Sequence, residues 1–481
     1  MRILLLQPNY DAHIVHPPLG LGYLASFLKT KGHHQVLIFD GTLKNASLND
    51  FLTAISKFKA DLVGISVLSR GHKQAKKITK ALKQRYKKLP LVLGGTQITA
   101  LPKKILQSWA ADFVIIGEGE VTFLELAAKL EKNKNNFSKV PGLGFKDSSG
   151  KIVITPPRPL IKDLDSLPFP AWNLIHPKKY RIVPILQPAK DFPIAPILTS
   201  RGCPFNCSFC ASNITWKRQI RFRSPENVLR EIKLLKKRFG VKEIHFCDDN
   251  FTMDIKRAKK ICQMMISEKI NLPWQCPNGV RIDRLPLSLL RLMKKAGCYA
   301  LGLGIESGNQ KVLDKNNKHL NLKIVPKVLK NLNKVGIESY GFFILGLPGD
   351  SRKRIEETIN FALKNPFDRA WFNIFTPYPG SAAFSNWLKN KDFNKIDWNK
   401  HDCSSAVISV PKISSKELEK IQKKALLKFY LRPKIILKLA NSIGIEEITT
   451  FLMTRFFSKL LKPVFLLVHK IIRRRKLLLE N

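Results

Sequence analysis

The sequence predicts an α/β protein: a doubly wound parallel sheet, then a partial (βα)6 barrel, then a helical C-terminal region. Three observations predict it. Over residues 1–130, five short apolar runs alternate with segments of helical period. Six further strand–helix units begin at Pro196. Beyond Pro379 the strand-like runs stop and residues 414–475 read as helices. A chain of 481 residues, 44% hydrophobic and 25% charged, is long enough for two or three cores and is globular in composition.

The first array places strands at residues 2–7, 35–40, 60–67, 90–94 and 112–117, with helices at 19–31, 48–59, 74–87, 102–108 and 121–132. Val-, Ile- and Leu-rich strands joined by helices imply a parallel sheet covered on both faces. Ligands of such sheets bind beyond the carboxyl ends of the strands. Small and polar residues collect there: Pro17-Pro18-Leu19-Gly20-Leu21-Gly22, Ser66-Val67-Leu68-Ser69, Gly94-Gly95-Thr96-Gln97 and Gly117-Glu118-Gly119-Glu120. Each glycine alone serves a tight βα turn. Four such loops on one rim suit a large planar or phosphate-bearing ligand. None has the G-x-G-x-x-G spacing of a nicotinamide site.

Residues 133–195 read as a connector, polar at 133–139 and broken by Pro156, Pro157, Pro168 and Pro170. The expected boundaries are therefore a first domain over 1–135, a linker over 136–190, a second core over 191–400 and a helical region over 401–481. Strands of the second core are expected at residues 197–200, 243–247, 274–280, 300–305, 339–345 and 369–375, with helices such as 225–239 and 287–296 between them. Active sites of βα barrels lie at the carboxyl ends of the strands.

The first of those strands leads into Cys203, Cys207 and Cys210, a C-x3-C-x2-C set and the one place where thiols cluster. A structural zinc wants a closed tetrahedron of four ligands. Three cysteines without a nearby fourth suit an iron–sulfur cubane, one iron of which stays open to a small molecule. Cys247, Cys262, Cys276, Cys298 and Cys403 are scattered, and packing is the default role for each.

With the aromatic Phe209 before the third thiol, this loop resembles the signature of the radical S-adenosylmethionine (SAM) superfamily. The four rim loops resemble those of the cobalamin-binding domain that precedes many radical SAM cores. That resemblance spans about residues 1–385. It implies a [4Fe–4S] cluster on Cys203, Cys207 and Cys210, SAM chelating the open iron, and its reductive cleavage to a 5′-deoxyadenosyl radical that takes a hydrogen from substrate. Methyl transfer or ring formation would follow. It implies cobalamin contacts at Pro18, Leu19, Gly20, Ser66, Ser69, Gly94, Gly95, Thr96, Gly117, Glu118, Gly119 and Glu120. Gln97 stands where the family often has His. Asp11-Ala12-His13 begins a cobalt-ligating D-x-H-x-x-G loop, but His16 occupies the place of its Gly, so no imidazole is expected below the cobalt.

In the second core, Asp248-Asp249-Asn250-Phe251-Thr252 resembles the family's D-D-N-F-T segment. Asp248 and Asn250 are candidates to hold the SAM amino group or the substrate; a helix cap by Thr252 or Asp254 explains the segment equally well. By the same resemblance Arg281 faces the carboxylate or ribose of SAM. Gly304, Glu306 and Ser307, within Gly302-Leu303-Gly304-Ile305-Glu306-Ser307-Gly308, meet its ammonium or ribose, with Glu306 also a catalytic candidate. Gly346 lies in the backbone segment that pairs with adenine.

The formal net charge of +47 comes mostly from lysine spread over nearly every predicted helix, which reads as solvated surface and not as a nucleic-acid footprint. No signal peptide is evident, because Pro8 interrupts the first apolar run, and thiols without an export signal predict the cytoplasm. The rival within the superfamily, a tRNA methylthiotransferase, would need a second cysteine trio, yet no cysteine precedes Cys203. The implied partners are a small, hydrophobic substrate and a flavodoxin- or ferredoxin-type reductant. Residues 451–476 alternate apolar bulk with Lys and Arg, as interfacial helices on anionic membranes do, and predict peripheral attachment to the inner face of the membrane.

Overall fold

The computed structural model describes residues 1–10, 15–134, 136–180, 189–389, 391–442 and 464. The backbone forms two compact units. One comprises residues 1–180, 200–227 and 377–402; the other contains 189–199, 228–376 and the described residues from 403 onward.

The sheet of the first unit has the order β2-β1-β3-β4-β5-β6-β7. Its strands are β1 (Arg2–Gln7), β2 (Gln35–Asp40), β3 (Leu62–Ser66), β4 (Leu91–Gly94), β5 (Phe113–Ile115), β6 (Leu143–Lys146) and β7 (Ile152–Ile154). β1 to β5 are parallel, with Leu4 opposite both Leu37 and Val63. Period-two alternation divides β1 between two cores. Leu4 and Leu6 pack with Phe51, Ile78 and Trp109, whereas Ile3 and Leu5 pack with Leu28, Phe123 and Leu126. Strand order reverses between β1 and β3, so the chain leaves those strands in opposite directions and opens a crevice at their carboxyl ends.

Antiparallel β6 and β7 lie in the segment expected to be a linker. The Asp147 carboxylate turns this hairpin by accepting the amides of Ser149 and Lys151, and Leu143 and Phe145 bury against β5. With strands of three or four residues, the hairpin is hidden by the surrounding prolines. Two further stretches join this unit. Ser200–Arg201 pairs antiparallel with Arg221–Phe222 and brackets the cysteine loop. Phe384 and Trp398 enter the same core as Ile98 and Trp109. By its backbone contacts the cysteine loop groups with the first sheet.

The second unit is a six-stranded parallel sheet of β8 (Ile194–Ile197), β9 (Glu243–Phe246), β10 (Trp274–Val280), β11 (Cys298–Glu306), β12 (Glu338–Leu345) and β13 (Arg369–Ile374). Each strand pairs with its predecessor, from β8 at one edge to β13 at the other. That singly wound order is the one expected of a partial barrel. Beside the β13 edge lies the helix Ser415–Tyr430, capped by Ser414. Its Gln422 Nε2 and Tyr430 hydroxyl donate to the Phe372 and Ala370 carbonyls at 2.7 and 3.1 Å. These bonds satisfy carbonyls of a strand that, among the described residues, has a neighbouring strand on one side only. Among the described residues no helix is long and apolar enough to cross a membrane. The basic tail at 451–476 lies outside the described residues, as do Asp11 and His13.

Candidate functional site

In the first unit the cysteine loop is fixed at both ends. Gly202 has φ +98°, and a Cβ there would stand 2.0 Å from the Gln219 carbonyl oxygen, so only glycine fits. The Cys210 amide donates to the Cys207 carbonyl at 3.1 Å, and the Ala383 amide to that of Ser208 at 3.0 Å. Cys203, Cys207 and Cys210 are free of disulfides and partly exposed, and Phe209 is half-buried. Three cysteine thiols on one loop, without a fourth, are the donor chemistry that a cubane with one open iron takes.

Three glycines of the rim loops face open space. A Cβ added at Gly20, Gly94 or Gly117 would meet nothing within 4 Å. Pro18, Leu19, Ser66 and Gly119 are half-buried, and Thr96 and Leu68 are exposed. Gly95 serves a different purpose: at φ +101° its Cβ would press to 2.7 Å from the Val67 carbonyl oxygen, so it allows the loops after β3 and β4 to touch. Ser69, expected at the cofactor, instead donates its hydroxyl to Gln97 Oε1 at 2.6 Å. The Gln97 amide nitrogen lies 3.1 Å from His72 Nδ1 and donates to it, which places the ring proton on Nε2. Burial pulls His72 down to about 3, helped by Lys76 and His401. Its neutral ring stacks on Trp398 with centroids 4.7 Å apart.

The fourth rim loop departs most from expectation. Glu118 and Glu120 were expected at the cofactor, but their carboxylates face protein cations. Arg201 Nη1 lies 2.7 Å from Glu118 and Nη2 2.7 Å from Glu120, and Arg221 reaches Glu118 at 2.8 Å. Burial works against the charge of Arg201, yet Glu120 and Glu118 outweigh it and hold its pKa above the ordinary value. Burial likewise opposes ionisation of Glu120, and Arg201 reverses the sign, leaving its pKa low. A buried carboxylate next to a buried guanidinium is stable only as a pair.

In the second unit the strand ends carry a braced polar lattice. Asp248, a candidate for the SAM ammonium, is 1% exposed. Its carboxylate takes the Thr199 amide and hydroxyl at 2.6 and 2.5 Å, which pins the segment after β8. Asp254 caps the following helix. Asn250, equally buried, accepts from Thr252 Oγ1 at 3.3 Å. Arg281, expected against the SAM carboxylate, is instead paired with Asp283 at 2.8 Å and donates to the carbonyls of Lys318 and His319. Its planar fork matches that loop, and its charge is neutralised beside it. Ser307 is fully buried, its hydroxyl 3.0 Å from Thr358 Oγ1 and accepting the Asn309 amide, so it braces the loop.

Glu306 remains. It ends β11 at φ +68°, a conformation uncommon for a residue with a side chain. Its carboxylate lies 2.8 Å from Lys318 Nζ. A Cβ at Gly304 would stand 2.7 Å from Glu306 Oε1 and 3.0 Å from that ammonium, so glycine at 304 makes the space for the pair. Lys318 was invisible in a chain with 83 Lys and Arg, since nothing in its neighbours marks it.

Gly346, at φ +86°, donates its amide to Asp350 at 2.8 Å, as Leu347 does at 3.1 Å. The other Asp350 oxygen is buried without a partner among the described residues, and burial pushes the carboxyl up to about 6 despite the two amides. A folded-state pKa above the unfolded value means that stability is fully present below about 4 and is lost as pH rises toward 6. Asp350→Asn removes that slope, and pH-dependent chemical unfolding of the variant should gain of order 2 kcal/mol near pH 7 relative to the parent.

Residues 197–362 match the Radical SAM superfamily and residues 11–127 the B12 binding domain. An uncharacterized methyltransferase of Pyrococcus horikoshii is 34% identical over 445 residues, spanning 91% of this chain and 94% of its own. The chain belongs to the cobalamin-binding radical SAM family. The anaerobic magnesium-protoporphyrin IX monomethyl ester cyclase of Rubrivivax gelatinosus is 30% identical over 411 residues, 83% of this chain and 72% of the cyclase. In fold, the chain is similar to TsrM, a radical SAM methyltransferase of Kitasatospora setae solved with cobalamin and a [4Fe–4S] cluster. The TM-score is 0.68 at 16% identity, over 90% of this chain and 89% of that one. The protein is accordingly a cobalamin-dependent radical SAM enzyme of the methyltransferase or cyclase type, and its two modules are those that take SAM and cobalamin.

Proposed function

We propose that the protein transfers a methyl group from SAM to an unactivated position of a small, hydrophobic substrate. The observation that carries methyl transfer is the near full-length similarity to the Pyrococcus methyltransferase. In this reading Cys203, Cys207 and Cys210 hold a [4Fe–4S] cluster, Glu306 accepts from the ribose or ammonium of SAM, and Gly346 presents backbone to adenine. Gly20, Gly94 and Gly117 border the corrin. The cluster supplies the electron that cleaves SAM, and cobalamin supplies a methyl carrier. The work left to the chain is positional: the Glu306–Lys318 pair orients a carboxylate at the strand ends, and the Arg281 brace keeps Lys318 in place. An acidic flavodoxin- or ferredoxin-type protein is the fitting reductant. Ring formation is the second reading, favoured by the similarity to the Rubrivivax cyclase.

Anaerobic turnover with methyl-labelled SAM and cell extract separates the two. Label in a product supports methylation; deoxyadenosine formed with an unlabelled, altered product supports cyclisation. The basic tail is assigned to a membrane surface near such a substrate. Full-length protein should then pellet with anionic liposomes while a chain ending before Phe451 stays in solution; equal pelleting contradicts it.

A further inference from the structure

We propose that Arg201, gripped by Glu118 and Glu120, is a positioning residue that fixes the cysteine loop against the cobalamin rim and so sets the separation of the two cofactors. The inference rests on the cofactor reading above. All three side chains are nearly buried, at 8%, 5% and 8% exposure, and with Arg221 they form a set of two acids and two guanidiniums whose formal charges cancel. Arg221 adds a bond to the Ile161 carbonyl at 2.6 Å. The Arg201 guanidinium also lies 5.1 Å from the ring of Tyr23, on the helix Leu19–Gly32 that follows the first rim loop. One side chain therefore contacts the helix leaving the first rim loop and the carboxylates of the fourth.

Burying four charges is a poor route to stability, because apolar residues of the same volume do as well or better. What such a set does supply is registry: it closes in one arrangement only. The registry is transmitted with little slack. Arg201 is joined to Cys203 through Gly202 alone, and Gly202 is wedged against Gln219. A displaced Arg201 must displace the first thiolate.

The test uses the full chain, reconstituted without oxygen with iron, sulfide and hydroxocobalamin, and reads the spin relaxation of cob(II)alamin with the cluster oxidised and then reduced. A reduced cluster speeds that relaxation in proportion to a steep power of distance. Arg201→Gln should bind as much iron and cobalt as the parent, yet change the relaxation enhancement by about twofold or more, since such sites tolerate only about 0.5 Å of looseness. Arg201→Lys should recover part of it. Glu120→Gln, which keeps the Glu118 contact, should give a smaller change in the same direction and decides the matter if Arg201→Gln does not fold. Unchanged relaxation with both cofactors bound overturns the proposal. So does parallel loss of both cofactors and of thermal stability in both variants, which would make Arg201 a structural clamp. A parent chain that takes up no cobalt overturns the cofactor reading, and this proposal with it.

Discussion

Replacing Cys203, Cys207 or Cys210 with Ala abolishes reductive formation of 5′-deoxyadenosine from SAM. Each thiol is one of three on a loop that offers no fourth, and a cubane held by two cysteines has a second iron without a protein ligand. Bound iron should fall from about four per chain to well below one in each variant. Cobalamin uptake should persist, because Gly20, Gly94 and Gly117 lie on the rim loops and not on the cysteine loop. Compared in the iron-free state, folding stability should move by no more than about 0.5 kcal/mol, since the three thiols are partly exposed. Iron analysis, a deoxyadenosine assay and thermal unfolding on the same samples check all three statements. Undiminished SAM cleavage in any variant removes the cluster from that cysteine.

Replacing Lys318 with Met destabilises the protein by about 3 kcal/mol and removes most SAM cleavage. The ammonium and the Glu306 carboxylate are 9% and 12% exposed. Taking away the cation leaves a nearly buried negative charge without its partner, which costs far more than the pair contributes when intact. Arg281 cannot substitute, because its guanidinium is already bonded to Asp283 and two carbonyls. Glu306→Gln in the same background should return much of the stability, since the unpaired charge is gone, but not the SAM cleavage. Chemical unfolding of the single and double variants measures the first effect and deoxyadenosine formation the second. A Lys318→Met protein with parental stability contradicts the pairing.

Much of this architecture is legible in the sequence because burial on both sheet faces leaves a strong signal. β1 is Arg-Ile-Leu-Leu-Leu-Gln, four consecutive residues of which are 0% exposed, as a strand buried on both faces of a parallel sheet requires. The six parallel strands of the second unit follow the expected order for the same reason. What escaped was short or relational. β6 and β7 are too brief for periodicity to show. The motif residues were found, but a motif does not say which way its side chains turn. Glu118 and Glu120 turn to Arg201, Asp248 to Thr199, Ser307 to Thr358. In each case the polar group is buried, and a buried polar group is held by the nearest donor or acceptor the fold supplies. Those partners lie 49 to 83 residues away in sequence, or beyond the reach of any local pattern.

The central claim is that one chain carries a SAM-cleaving cluster and cobalamin together. Metal analysis of protein purified without oxygen, paired with a SAM-cleavage assay under a strong reductant, tests it most directly. Such protein should carry about four iron and one cobalt per chain and form deoxyadenosine. Iron with SAM cleavage but no cobalt, even after reconstitution with hydroxocobalamin, contradicts the claim.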